Sequence, residues 1–484
     1  MILILMICIL LIGGILCWLL AQWRPQLARW IALMAISADF IISCYLYFQY
    51  KKITGTHDPW FINYKVGWIP SFGISFHLSL DGLSLLLLLL TFFLGIFSVL
   101  CSWNEIKEKI GFFFFNLLWT LAGIAGVFLA MDLFLFYFFW EIMLVPMYFL
   151  IAIWGDSNRR YASFKFFIFT QAGGLLMLLA ILALYFIHGQ QSGDYSFDYF
   201  SLLNTSLEPS AARWIMSGFL IAFVVKLPMV PFHNWLPDAH SEAPTAGSLI
   251  LAGLLLKTGA YGIIRFVLTL FPGASAEIAW WAMLFGAIGI VYGAMLAFAQ
   301  TDIKRLIAYT SVSHMGFVLL GIFAFREIAF QGVVIQILTH GVSTGALFVM
   351  AGMLKERLHT RDIGQMGGLW TSMPAMGGMA MLFAMASLGL PMLGNFIAEF
   401  LILLGTFPAS GALTVIASLG LVFSALYSLR MMQKVFLGQP SVPVQMKDLS
   451  ARELIIMGGL AIAIIGLGLY PQPVFEMVRS LVMK

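Results

Sequence analysis

The chain has 484 residues, 61% of them hydrophobic and only 10% charged, with a net charge of +4 and a mean hydropathy of +0.97. Soluble domains are nearer half apolar and a quarter charged. The composition therefore excludes an ordinary soluble enzyme and predicts an all-α polytopic membrane protein, and without a basic tract nucleic acid is not expected as a partner.

The N-terminus is apolar from Ile2 and lacks a basic leader, so it reads as a first span rather than a cleaved signal. Four cysteines (Cys8, Cys17, Cys44, Cys101) lie in or beside the early apolar runs, and no CxxC pair occurs. An iron–sulfur or zinc site is not expected here. No glycine-rich phosphate loop is found either. The expectation is a chain without a cofactor, metal site or redox centre of its own.

A membrane-spanning helix needs about 20 apolar residues, which predicts about 14 spans. The first two cover roughly 2–21 and 29–48, followed by a long loop holding Lys51, Lys52, Asp58 and Lys65. The next four are expected near 80–102, 112–131, 133–154 and 164–187. Asp81 opens the third, and Glu141 lies well inside the fifth. After a polar loop come two spans near 213–240 and 244–267, carrying Lys226 and Lys257. Spans near 279–299, 303–323 and 328–353 follow, with His314 and His340 at interior positions of the last two. The stretch 372–406 is too long for one straight crossing and is interrupted around Gly389, Pro391 and Gly394, with Glu399 just beyond. Spans near 411–436 and 454–477 complete the series.

Lysine and arginine bias sets the orientation. The odd-numbered loops hold 14 such residues and the even-numbered loops 6, so the odd loops are expected to face the cytoplasm and both termini the outer side. Spans seven and twelve both break at a Leu-Pro-Met sequence, at Pro228 and Pro391. Interrupted spans at matching positions point to inverted repeats with the working site at the break. The expected organisation is residues 1–111 as three N-terminal helices, 112–267 as a first inverted repeat of five helices, 279–436 as the second, and 437–484 as a C-terminal helix.

Glu141, Lys226, Lys257, His314, His340 and Glu399 all fall inside apolar runs. Left bare, the four formal charges would cost on the order of 10 kcal/mol, so they must be paired, hydrated or neutralised. A lysine in low dielectric loses affinity for its proton and a nearby carboxylate restores it. Histidine titrates near neutral pH and has two nitrogens between which a proton can pass. A row of such groups linked by water is a proton path. Each member has a bland reading too. A buried Glu–Lys pair can be structural glue, a histidine beside Ser311 and Ser313 can be a satisfied core residue, and each proline can be a plain kink. Asp132, Arg265, Arg326 and Lys434 sit near span ends, where snorkelling accounts for them.

Several stretches resemble the antiporter-like membrane subunits of bacterial respiratory complex I, the proton-translocating NADH:quinone oxidoreductase. They are Phe139-Trp140-Glu141, the run from Lys226 through Pro231, His233, Trp235, Pro237 and His240 to Pro244, Lys257-Thr-Gly-Ala-Tyr-Gly, the segment from Asp302 to Ser313-His314, and Gly394-Asn-Phe-Ile-Ala-Glu399. The likeness covers nearly the whole chain, and its wider family includes multisubunit Na⁺/H⁺ antiporters. Glu399, where sister subunits usually carry lysine, and the chain end soon after the last span single out one branch. The resemblance implies that Glu141 pairs with Lys226, that Lys257 is the central relay with His314 and His340 along the axis, and that Glu399 is the exit group. It further implies a bacterial inner-membrane location, membrane lipid and other membrane-arm subunits as partners, among them two sister antiporter-like chains, and FMN and iron–sulfur clusters carried by partner subunits. One small departure is Tyr309-Thr310-Ser311, where the family usually has Tyr-Ser-Ser; the hydroxyl is kept. A sodium/proton antiporter subunit and a purely structural scaffold are the rival readings.

Overall fold

The computed structural model describes residues 1–53, 60–439 and 446–482. Asp58 of the expected second loop lies outside them. Twelve helices among the described residues are long and apolar enough to cross a membrane. They are α1 (Ile2–Leu20), α2 (Pro25–Ile53), α3 (Gly82–Glu105), α4 (Ile110–Leu129), α5 (Leu133–Trp154), α6 (Arg159–Ser192), α9 (Thr245–Leu270), α10 (Pro272–Ala299), α11 (Ile303–Ile322), α12 (Glu327–Leu358), α15 (Gly411–Val435) and α16 (Ala451–Leu469). The other two expected crossings are pairs of shorter pieces. One is α7 (Pro209–Lys226) with α8 (Trp235–Glu242), and the other is α13 (Pro374–Ser387) with α14 (Gly394–Thr406). Both breaks fall where Pro228 and Pro391 put them, because proline removes the N–H that a continuing helix needs.

Other boundaries follow from proline as well. Phe271, Met373 and Tyr470 each precede a proline and adopt φ −132°, −133° and −138°, with ψ between 53° and 70°. The ring of the next residue disfavours helical geometry at these positions. This corrects the expected last span. It ends at Leu469 rather than near 477, and α17 (Gln472–Val482) begins as a separate amphipathic helix. A second correction concerns the loop before α3. It forms an antiparallel hairpin, β1 (Ile62–Ile69) with β2 (Ile74–Leu80), turning through Gly73 at φ +67°, and Lys51 and Lys52 belong to the end of α2.

The loops sort to two ends. At one end the hairpin meets the starts of α3 and α5 and the loop after α6. Ser75 donates to Asp132 from both its amide (2.8 Å) and its hydroxyl (3.0 Å), and His77 Nδ1 lies 2.5 Å from Asp198. Lys65 adds an ion pair to Asp198 at 2.9 Å. Burial works against the Asp198 charge, yet His77 and Lys65 hold its carboxyl below the usual range. At the other end Arg361 bonds three carboxylates from three other loops: Asp156 at 2.9 Å, Glu242 at 3.2 Å and Asp302 at 3.0 Å. It also donates to the Ser241 carbonyl, and Lys355 pairs with Asp156. The first group comes from even-numbered loops and the second from odd-numbered ones, so the alternation expected from the sequence is built into the contacts.

The same local device appears at both ends. Asp132 caps α5 by accepting the amides of Phe134 and Leu135, and it forms a bridge with Asp198. Asp302 caps α11 through the amides of Lys304 and Arg305, and it bridges Asp362.

Two helices have no outward face. Thr245–Leu270 and Glu327–Leu358 are wholly enclosed over their apolar windows, whereas less than half of the window is buried in α1 and α16. Small residues let the enclosed helices approach their neighbours, as in other membrane bundles. A Cβ on Gly259 would meet the Phe223 carbonyl at 2.6 Å and the Leu227 amide at 2.9 Å, so glycine is required where α9 presses against the end of α7.

Candidate functional site

The enclosed helices carry the central ionisable groups. Lys257 lies on α9 in a short α-helical stretch between two π-helical turns, Leu251–Leu255 and Ile263–Val267. Single π turns are rare and are found mainly at functional positions. The Lys257 Nζ donates to the Ala252 carbonyl at 2.5 Å and lies 2.5 Å from His340 Nδ1. Two nitrogens at that separation hold one proton between them. Either an ammonium donates to a neutral imidazole, or Nδ1–H donates to a neutral amine. His340 is fully buried on α12, and its Nε2 has no partner among the described residues.

The row continues across the bundle. The rings of His340 and His314 are 5.5 Å apart between centroids. His314, on α11, places Nε2 at 3.2 Å from the Ser387 carbonyl, at 3.4 Å from the Tyr427 hydroxyl and at 3.6 Å from Glu399 Oε1. Ser387 is the last residue of α13, and Glu399 lies one turn into α14. The helix break thus brings a free backbone carbonyl and a carboxylate to the same imidazole. Unwound backbone at membrane depth is tolerated where it lines such a protein-enclosed site. Glu399 is 1% exposed, and neither oxygen has a hydrogen-bond donor among the described residues.

Lys226 and Glu141 stand apart from this row. Lys226 Nζ has no hydrogen-bond partner among the described residues and lies 5.3 Å from the ring centroids of both Trp140 and Phe166. Such cation–π contacts are worth about 2 kcal/mol when desolvated. Glu141, the next residue after Trp140, is half-buried and accepts from Gln171 at 3.4 Å. No ion pair joins it to Lys226. The direct pairing that the resemblance implied is absent, although the two side chains share one neighbourhood. Of the six residues expected to work together, Lys257, His340, His314 and Glu399 form a contiguous row, whereas Lys226 stands apart between the Trp140 and Phe166 rings and Glu141 stands beside Gln171.

Several ionisable residues outside the expected six are also deeply buried. Arg265 and Asp81 form an ion pair at the even-loop end of α9, with the guanidinium over the rings of Trp60 (4.7 Å) and Tyr261 (5.3 Å). Snorkelling does not describe Arg265, which is 3% exposed, nor Asp132, which is fully buried as a helix cap. His240 is fully buried, stacked on Phe348 at 4.5 Å with both ring nitrogens unpartnered among the described residues. Lys304 is 1% exposed and donates to the Ala243 carbonyl at 2.8 Å. The sequence signal for His240 was present, since it lies in the motif after Lys226. Lys304 gave none, because it sits beside Arg305 and reads as a loop charge.

The chain is thus a helical membrane bundle with two broken crossings and a buried Lys–His–His–Glu row. Residues 130–424 match the family described as NADH:quinone oxidoreductase/Mrp antiporter, TM, and the chain belongs to that family, in its subunit M branch. It is 55% identical over 475 residues to the NADH-quinone oxidoreductase subunit M of Pseudomonas aeruginosa, covering 96% of this chain and 93% of that one. The subunit M of Escherichia coli K12 is 52% identical over 480 residues, with 97% and 94% covered. Among solved structures, a chain of respiratory complex I from Thermus thermophilus with bound NADH superposes with a TM-score of 0.88 at 30% identity, covering 99% and 97% of the two chains. A chain of the Mrp complex from Dietzia shares the fold with a TM-score of 0.86 at 20% identity, with 99% and 97% covered.

Proposed function

We propose that this chain is a proton-translocating, non-redox subunit of the membrane arm of NADH:quinone oxidoreductase. The observation that carries the reading is the contiguous row Lys257–His340–His314–Glu399, four buried ionisable side chains of which the first two lie on the two fully enclosed helices. The two repeats, 112–267 and 279–436, would each supply part of the path, with the break before Glu399 serving the second. In the first, Glu141 and Lys226 act as the switch. Moving the carboxylate toward or away from the lysine changes how firmly that lysine holds its proton, and each tenfold change in affinity is about 1.4 kcal/mol. A proton released there passes through water to Lys257, then to His340, His314 and Glu399. Electron transfer belongs to partner subunits that carry FMN and iron–sulfur clusters. Two sister antiporter-like subunits and lipid flank this chain in a bacterial inner membrane.

The test is NADH-driven acidification of inverted membrane vesicles with Glu141→Ala, with assembly checked on a native gel. An assembled complex whose pumping collapses is the expected result. An assembled complex that pumps normally makes Glu141 structural. Sodium-dependent proton flux in vesicles without NADH would instead favour an antiporter, the other branch of the matched family.

We further propose that the odd-loop end faces the cytoplasm, from the lysine and arginine bias. Cysteines at positions 160 and 326 are expected to label from opposite sides of the membrane. Labelling of both from one side overturns the topology.

A further inference from the structure

At the odd-loop end, the turn between α1 and α2 and the loop between α3 and α4 lie side by side. A Cβ on Gly111 would meet the Cys17 carbonyl at 2.7 Å, so the start of α4 presses on the end of α1. Arg29, in the first turns of α2, donates to the Ile106 carbonyl at 3.3 Å. These two contacts gather four cations, Arg24, Arg29, Lys107 and Lys109. At the same end Lys165, Arg305, Lys355, Arg357 and Arg361 each pair with a carboxylate, whereas none of these four does so among the described residues. Of the two acids beside them, Glu105 is turned toward Thr245, whose amide and hydroxyl it accepts at 3.0 Å and 2.9 Å, and Glu108 is exposed. Arg24, Lys107 and Lys109 are exposed, and Nε of Arg29 is buried with no hydrogen-bond partner among the described residues.

A groove of about 410 Å³ opens between the two connections, lined by Trp18, Ala21, Gln22, Lys109, Gly111 and Phe112. Gln22 and Lys109 lie just outside α1 and α4, whereas Trp18 and Phe112 lie inside them. The groove is therefore polar above and aromatic below. Trp18 stands 6.0 Å from Phe112 and 5.6 Å from Phe115 between ring centroids, and Trp119 continues the ladder at 4.7 Å from Phe115. Trp18 is 47% exposed, so the upper ladder is open to the bilayer at the depth where tryptophan marks the membrane–water boundary. Lys109 is costly where it stands. Its φ of +48° is a left-handed conformation that favours glycine, and its side chain makes no capping bond. A cation at a helix N-terminus is also disfavoured unless an anion joins it.

We propose that this groove binds an anionic phospholipid, with its phosphate among Arg24, Lys107 and Lys109 and an acyl chain along Trp18, Phe112 and Phe115. A zwitterionic lipid has the same chains, but its ammonium would meet cations. Basic clusters beside the ends of membrane helices recognise anionic headgroups in this way. The site lies outside the proton row and does not rest on the translocation reading.

The experiment uses the intact complex in phosphatidylcholine vesicles that carry a small fraction of a lipid with a diazirine in one chain, either phosphatidylglycerol or phosphatidylcholine. After illumination, peptides containing Trp18, Phe112 and Phe115 are expected to carry at least about fivefold more phosphatidylglycerol label than phosphatidylcholine label. Lys109→Gly removes the cation and relieves the left-handed backbone, so assembly, checked on a native gel, is expected to be kept. Phosphatidylglycerol labelling is expected to fall about fivefold, the effect of one basic residue near a membrane surface, with phosphatidylcholine labelling unchanged. If Lys109→Gly does not assemble, Arg24→Gln is read by the same criterion. Equal labelling of the wild type by the two lipids makes the contact ordinary bilayer and overturns the proposal. Labelling by neither also overturns it, because a protein neighbour then covers the groove. Loss of labelling on adding inorganic phosphate makes it a site for a free anion instead. Unchanged labelling in the assembled variant removes the basic residues from recognition, and the proposal with them.

Discussion

Replacing Lys257 with methionine is expected to lower NADH-driven proton pumping by at least about tenfold in complexes that still assemble, the signature of a lost step rather than weakened binding. Methionine has nearly the length of lysine and carries no proton. The substitution deletes the donor to the Ala252 carbonyl and strands His340 Nδ1. Each unsatisfied group costs about 1–3 kcal/mol. Removing a fully buried ammonium also removes its desolvation penalty, which offsets much of that loss. The helix is enclosed on every side and packed by Gly259 against α7, so the bundle is expected to hold. Lys257→Arg sharpens the test. A guanidinium keeps the charge and can donate to the same carbonyl, but it does not release its proton at any working pH. Pumping is expected to fail with arginine as well. Restoration by arginine would show that Lys257 is an electrostatic anchor and not a carrier.

How much of this was legible in the sequence differs between the fold and the site. The breaks at Pro228 and Pro391 were legible because proline acts locally, within one turn. The same rule at Pro471 was masked by the apolar residues beyond it, so the last crossing was drawn too long. The hairpin of Ile62–Leu80 was missed because its strands alternate weakly and lie in a polar interval. In the site, an ionisable residue inside an apolar run announces itself whatever its partner. Lys257, His340, His314 and Glu399 were therefore found, and the structure brings them together. Arg265 and Lys304 stand near the ends of apolar runs, where a charge is normal, and only the three-dimensional packing shows them buried. The Glu141–Lys226 separation was not legible either, because a distance across two helices leaves no mark on one chain.

The largest effect on stability is expected from Arg265→Ala. Arg265 is 3% exposed and its partner Asp81 is fully buried at the N-cap of α3, where the other carboxylate oxygen accepts the Ser84 amide at 2.9 Å. The guanidinium also bonds the Tyr261 hydroxyl at 3.3 Å, and that hydroxyl donates to the Phe128 carbonyl at 3.0 Å. One side chain thus ties α9, α3 and α4 together at the even-loop end. Truncating it leaves an uncompensated buried carboxylate, which costs about 3–5 kcal/mol. Against a typical stability of about 5–15 kcal/mol, that is enough to deplete the folded subunit. The measurement is the amount of assembled complex on a native gel and its half-life on warming. A double variant, Asp81→Asn with Arg265→Met, removes both charges and keeps an acceptor for Ser84. It is expected to recover most of the loss, because neutralising a buried pair is milder than breaking it. If Arg265→Ala assembles like wild type, the pair contributes nothing measurable to holding the bundle. If the double variant is as poor as the single one, the cost lies in lost packing against Trp60 and Tyr261 rather than in the stranded charge.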